Sequence, residues 1–236
     1  MSEWLSLEKL VRLLQSVDVL EPLPAEEVRT LAFGAALRRL SAGESMPLDP
    51  KTHAQQTLLL LEGRARLCEE GPPERTLTAS VAEGGTMVGV TGLAARPGGL
   101  RLEALAPSLV CLVATEDFER LLMRNPGVGL SLLHILAERI VVLEGRLTDL
   151  AYRKVPARLA GTIVRLAEGE GIVTREGSSR IPTRYTHQQL ASMIGANREA
   201  VTRAMRALRE GGAIEVRGRR IHVVDQETLR REAEEG

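Results

Sequence analysis

The chain has 236 residues, 31 basic and 31 acidic side chains and 44% hydrophobic residues, the balance of an ordinary globular protein rather than a disordered or fibrous one. Its two cysteines, Cys68 and Cys111, cannot supply four thiolates to an iron–sulfur cluster or an all-cysteine zinc site, and its four histidines show no HxH or HExxH spacing. The opening MSEWLSLEKLVRLLQS has no basic start before an apolar stretch, and no unbroken run of about 18 apolar residues occurs anywhere, so the expectation is a cytoplasmic protein with reduced cysteines, no cofactor, no metal and no membrane partner.

Residues 4–33 read as short helices, because Leu7, Leu10, Val11 and Leu14 recur at helical spacing and Pro22 and Pro24 interrupt the pattern. From about 35 to 114 the texture changes to short apolar runs, among them TLLLLEG, ARLCEE, TLTASVA, LRLEALA and LVCLVA, separated by Gly, Pro and Glu. That spacing predicts a small antiparallel roll or barrel.

A long helix follows, with Asn125-Pro126 at its start and proline in the first helical position. Leu133, Leu136, Ile140, Leu143, Leu147 and Leu150 then repeat at alternating steps of three and four. This is the seam of two helices packed side by side, so a homodimer is expected. Leu132, Ile135 and Val142 lie off the seam and are expected to cover the roll. Tyr152-Arg153-Lys154 marks a hinge, VPARLAGTIVRLAEG restarts a helix at 155, and Glu170 to Ser179 reads as a polar loop.

Net charge is zero overall and uneven along the chain. Residues 1–152 carry 15 basic against 20 acidic side chains, residues 153–224 carry 14 against 6, and the remainder 2 against 5. The excess of eight positive charges over residues 153–224 calls for a polyanionic partner. Within it, THQQLASMIGANREAVTRAMRALRE (186–210) reads as two crossing helices. Thr186 caps the first, Gly195 makes the turn beside small Ala191, and Asn197 caps the second. Val201, Ala204, Met205 and Leu208 form a buried face opposite Arg198, Glu199, Thr202, Arg203 and Arg206. AIEVRGRRIHVVD then alternates as a hairpin around Arg217-Gly218-Arg219.

Arg198, Glu199 and Arg203 occupy the first two turns of the second helix, the end that enters a major groove in helix-turn-helix proteins. The arginine fork fits the O6/N7 edge of guanine, and a carboxylate accepts from cytosine N4. The plainer reading is a surface Arg/Glu pair that steadies the helix. An enzyme on a cupin-like roll would need a His/Glu cluster, and the roll offers only His53; GxxxxGK and GxSxG sequences are also absent. A sensor or interaction module that no longer reads DNA is the alternative, and it predicts an eroded second helix.

On these residues, most closely the R-E-x-x-x-R of Arg198, Glu199 and Arg203, the chain resembles the cyclic-AMP receptor / fumarate–nitrate regulator (CRP/FNR) family. The resemblance implies an α+β fold: a cyclic-nucleotide-binding-like β-roll with flanking helices (1–124), a dimerisation helix (125–152) and a winged helix-turn-helix (153–236). It also implies a regulator that binds double-stranded DNA at an inverted TGTGA-like repeat. Arg198 and Arg203 would read guanines and Glu199 a cytosine, while Thr186, Asn197, Thr202, Arg206, Arg217, Arg219 and Arg220 would meet the backbone. RNA polymerase, touched by related activators near 170–179, is a further expected partner. The chain departs from the family's nucleotide-binding pattern: Gly89 is in place, but Val90 stands where a Glu binds ribose and Gly98-Gly99 where an Arg-Ser pair binds phosphate. Arg96 or Arg101 would substitute only with a shifted loop. Burying a cyclic phosphate without a counter-charge is costly, so regulation without cyclic AMP is expected. His53 and His134 are the candidate haem ligands, and nothing singles them out.

Overall fold

The computed structural model describes residues 5–48, 56–71, 75–89, 100–174 and 177–234. They form two compact units, one of residues 1–74 and 79–140, the other of 75–78 and 141–236. The boundary falls inside the long helix.

In the first unit, α1 (Leu7–Gln15) is capped by Ser6, whose hydroxyl accepts from the Lys9 N–H. A single 3₁₀ turn (Asp18–Leu20) and α2 (Ala25–Gly34) follow. Eight strands come next: β1 (Ala36–Leu40), β2 (Ser45–Pro47), β3 (Gln56–Glu62), β4 (Arg64–Gly71), β5 (Arg75–Glu83), β6 (Thr86–Gly89), β7 (Leu100–Ala104) and β8 (Ser108–Ala114). They make two four-stranded sheets, in the orders β1-β8-β3-β6 and β2-β7-β4-β5. The expected roll is present.

β3 is an unbroken apolar run rather than an alternating one because both of its faces are covered. Leu58 and Leu60 join Val110, Met46, Leu102 and Ala65 between the sheets. Leu59 and Leu61 point the other way, with Cys111 and Val113, into a core completed by Leu14, Leu20, Val28 and Phe118. Both cysteines are free and buried. Desolvation pushes the Cys111 thiol up to about 12, so it stays protonated and inert. Arg66 and Glu103, directly opposite on β4 and β7, pair at 2.8 Å while almost fully enclosed. Arg101 is engaged as well, at 2.5 Å from Glu70 and 3.9 Å from Glu103. Val90, Arg96, Gly98, Gly99 and His53 lie outside the described residues.

The stretch after the roll, to which the sequence assigns no element of its own, is α3 (Thr115–Arg124), which buries Phe118 and Leu121 and leads into the long helix α4 (Pro126–Tyr152). In its first half Val128 and Leu132 are buried, and Ile135 and Leu136 pack on the same core. Arg139 donates to the carbonyls of Met87 and Val88 on the sheet-edge strand β6. Partial burial holds its pKa below the ordinary guanidinium value, and Asp18 opposes that shift. Val142, expected beside Leu132 and Ile135, falls in the second unit and is 52% exposed, whereas Leu132 and Ile135 belong to the first unit's core. By length and composition α4 is also apolar enough to cross a membrane. Gly, Ser, His and Glu138-Arg139 interrupt it, so it holds no unbroken apolar run and is apolar only on average.

In the second unit, α5 (Val155–Glu170) has Pro156 in its first turn and buries Leu159, Ala160, Ile163 and Leu166. The segment read as a loop after Glu170 is instead a short hairpin, β9 (Ile172–Val173) with β10 (Ser179–Arg180). Their backbone groups complete the sheet β11-β12-β10-β9, in which β11 spans Ile214–Arg217 and β12 Arg220–Val223. Two-residue strands among polar residues carry no periodicity to detect. The last helix, α8 (Gln226–Glu234), follows α6 (His187–Ile194) and α7 (Arg198–Glu210) in the chain. Asp225 caps it, accepting from the Thr228 N–H and hydroxyl, and those bonds hold its carboxyl below the usual range.

Candidate nucleic-acid interface

The two crossing helices are fixed by their own ends. The Thr186 hydroxyl accepts from the Gln189 N–H, and the Gln189 side chain returns to the Thr186 N–H, a complete capping box. Gly195 closes α6 in the left-handed region (φ +61°), with its N–H and that of Ala196 both on the Ala191 carbonyl. Asn197 begins α7 by accepting from the Ala200 N–H at 2.7 Å.

A Cβ on Gly195 would lie 3.0 Å from a Leu150 methyl. Leu150 therefore packs on the turn as well as belonging to the seam pattern. Gly195→Ala is expected to lose about 1–2 kcal/mol by urea unfolding, from left-handed strain and that clash together. Leu150→Ala in the same chain should restore only the steric part; full restoration would deny the backbone contribution.

α7 is amphipathic for a simple geometric reason. At 100° per residue, Val201, Ala204, Met205 and Leu208 fill one side, and all four are buried. Arg198, Thr202, Arg206, Glu199 and Arg203 fan across about 140° of the other side and are exposed. Among the described residues, Arg198, Glu199 and Arg203 make no ion pair or side-chain hydrogen bond. Glu199 and Arg203 stand at the favourable i, i+4 spacing and still do not pair, so the helix-steadying reading has no contact to rest on. Arg206 differs: its Nε donates to Glu210 at 2.7 Å, and that hydrogen bond pushes its pKa up.

Thr202 directs its hydroxyl proton to the Arg198 carbonyl at 2.9 Å and lies 2.8 Å from His187 Nδ1. It has no second proton for a phosphate in this arrangement. On the wing, Gly218 and Arg219 both have positive φ (59° and 64°), the pair of conformations of a two-residue type I′ hairpin turn. Arginine there is costly where glycine would be relaxed, a cost that points to use of the side chain. Arg217 pairs with Glu215 at 2.5 Å. Arg220 is half-buried, with Nε on the Pro182 carbonyl at 3.0 Å, so it braces the wing.

Between wing and helices lies a hollow of about 440 Å³, floored by Leu190, Met205 and Ile221 and rimmed by Arg184, Thr186, His187 and Arg219. Arg184 and His187 were not singled out in the sequence; no spacing rule joins residues that meet only across the helix crossing and the wing. Of the seam residues, Leu133 (62%), Ile140 (56%), Leu143, Leu147 (66%) and Leu150 are exposed in the single chain, and Leu136 is partly covered by the first unit's own core. Exposed His134 stands among them. Among the described residues no three His, Cys, Asp or Glu side chains are placed to hold a metal ion.

Residues 157–232 match the family model of the Crp-like helix-turn-helix domain. The chain is 28% identical over 180 residues to the global nitrogen regulator of Synechocystis sp., covering 75% of this chain and 78% of that one. It is 33% identical over 110 residues to the CRP-like cAMP-activated global transcriptional regulator of Mycobacterium tuberculosis, an alignment that spans only about half of either (46% and 48%). In fold it is similar to the c-di-GMP-responsive global regulator of Xanthomonas campestris (TM-score 0.73, 18% identity, 86% of this chain and 100% of that one). A CRP-family transcriptional regulator of Thermus thermophilus is comparably near (TM-score 0.71, 22% identity, 84% and 97%).

Proposed function

For a chain that belongs to the CRP/FNR family of transcription regulators, we propose the specific role of a cytoplasmic, non-enzymatic homodimer that reads an inverted TGTGA-like repeat and activates transcription without cyclic AMP. The observation that carries this reading is the exposed, unpaired trio Arg198, Glu199 and Arg203 at the start of α7. Side chains with no partner among the described residues are available to base edges. Arg198 and Arg203 take guanines and Glu199 takes a cytosine amine. Thr186, Asn197, Arg206, Arg217 and Arg219 serve the backbone, Arg220 holds the wing, and Thr202 holds its neighbours.

The exposed leucines and Ile140 of α4 meet their counterparts in a second copy, and the two heads then sit about 34 Å apart, one turn of duplex. A dimer seam accounts for the apolar character of α4 without a membrane. The hairpin β9–β10 supplies the surface for RNA polymerase. Effector independence rests on Val90 and Gly98-Gly99 at the nucleotide positions and on Arg101, which is committed to Glu70. Domain organisation follows: roll, dimer helix, reading head.

The test is a titration onto a labelled inverted TGTGA duplex at fixed salt, against a scrambled duplex, with and without cyclic AMP. Selective binding by about 10³-fold or more, unchanged by nucleotide, is expected. Equal affinity for both duplexes would overturn the base-reading role, and binding that requires cyclic AMP would overturn effector independence.

A further inference from the structure

We propose that Glu170 is a positioning residue for DNA binding: its carboxylate holds the chain on both sides of Arg184, and so sets that guanidinium on the rim of the hollow beside the wing, where it takes a backbone phosphate. This rests on the DNA-binding reading above and assigns Arg184 to contact with DNA and Glu170 to its placement.

Glu170 ends α5, and the helix itself does not account for an acid there. The last turn of α5 carries no basic side chain, and the helix dipole opposes a carboxylate at a C-terminus. What Glu170 does meet is the segment leading into α6. The Tyr185 hydroxyl donates to its Oε1 at 2.7 Å, and the Thr183 hydroxyl donates to its Oε2. The carboxylate thus reaches the residues just before and just after Arg184.

The rest of the segment is fixed from other sides. Ile181 donates its N–H to the Ile221 carbonyl at 2.9 Å, and the Pro182 carbonyl accepts from Arg220 Nε at 3.0 Å. Thr186 then begins α6 with its capping box. Between these points burial alternates: Ile181 and Tyr185 are buried, Thr183 is half-buried, and Arg184 and Thr186 are exposed. An extended chain sends successive side chains to opposite sides, so a clasp on 183 and 185 turns 184 outward. Arg184 lines the 440 Å³ hollow with Thr186, His187 and Arg219. Among the described residues it makes no ion pair or side-chain hydrogen bond. A guanidinium kept available in a concave site beside a second arginine suits a phosphate.

The sign of the effect separates this role from simple electrostatics. By charge alone, removing an acid from a basic domain strengthens DNA binding. The clasp predicts the opposite, because without it the segment around Arg184 must be ordered at the moment of binding.

The experiment measures affinity and its salt slope for the full-length protein on the TGTGA and scrambled duplexes, with urea unfolding of every variant. Arg184→Ala should weaken both duplexes about tenfold and lower the slope by about one, with base selectivity and unfolding midpoint kept. Glu170→Ala should show the same loss, and should add almost nothing to it in the Arg184→Ala background. Glu170→Gln, whose amide still bonds to both hydroxyls, should recover most of the affinity. Should Glu170→Ala fail to fold, Thr183→Val combined with Tyr185→Phe removes the same hydroxyls, keeps the packing and should reproduce the loss. Binding by Glu170→Ala or by that pair at wild-type strength or above overturns the inference, as does a loss that repeats in full in the Arg184→Ala background; the DNA-binding reading stands in each case. Failure of the wild type to bind either duplex overturns the reading on which the inference rests.

Discussion

The variant Leu147→Glu is expected to fold as the wild type does and to sediment as a monomer. In the single chain Leu147 is 66% exposed, so a carboxylate there stays in water and costs the fold almost nothing. A two-fold pair counts the change twice, because each protomer presents the same surface to the other. Withdrawing two leucines, each worth about 1.5–3 kcal/mol when buried, removes about 3–6 kcal/mol from association. That weakens the dimer by about 100-fold to 10⁴-fold. Bringing two carboxylates together adds to the loss. Binding to the inverted repeat should fall with the dimer, since a monomer engages one half-site, while the thermal transition of the chain stays in place. A variant that still sediments as a dimer would show that the apolar side of α4 is covered some other way. A collapsed transition would assign Leu147 to the protein's own core.

Sequence legibility tracked how local each signal is. The helix-turn-helix could be read because its information lies within 25 residues: two caps, a left-handed glycine and one buried face. The roll could be read from its turns, and even the misleadingly continuous β3 reflects a local fact, burial on both faces. What escaped depends on distant partners. The hairpin β9–β10 exists because β12 offers β10 an edge, and nothing in its own few residues signals a strand. Residues 115–124, between the roll and the helix start at Asn125-Pro126, carry no assignment in the sequence, and the structure makes them α3. Periodicity groups Val142 with Leu132 and Ile135, yet Val142 falls beyond the unit boundary after Ile140 and is exposed. In the interface, residue types at the start of α7 were enough to nominate Arg198, Glu199 and Arg203. The occupied hydroxyl of Thr202, the inward turn of Arg220 and the placement of His187 needed the three-dimensional crossing of α6, α7 and the wing.

Arg203→Ala and Arg219→Ala should separate the two ways in which a basic side chain serves this interface. Arg203 projects from the second turn of α7, exposed and without a side-chain partner among the described residues. If it forks onto a guanine, its loss costs about 1–3 kcal/mol on the TGTGA duplex and relaxes the preference at one base position, with little effect on a scrambled duplex. Arg219 sits at the wing tip in the left-handed backbone conformation that the two-residue type I′ turn requires. A phosphate contact carries no sequence information, so Arg219→Ala should weaken both duplexes alike and reduce the salt slope by about one charge. Neither change touches buried surface, so both proteins should unfold near the wild-type midpoint. The pair also tests the roles jointly, because selectivity moves in one variant and not in the other. Equal loss on both duplexes for Arg203→Ala would make it a backbone contact. The reading of TGTGA would then rest on Arg198 and Glu199 alone, too few contacts to specify five base pairs.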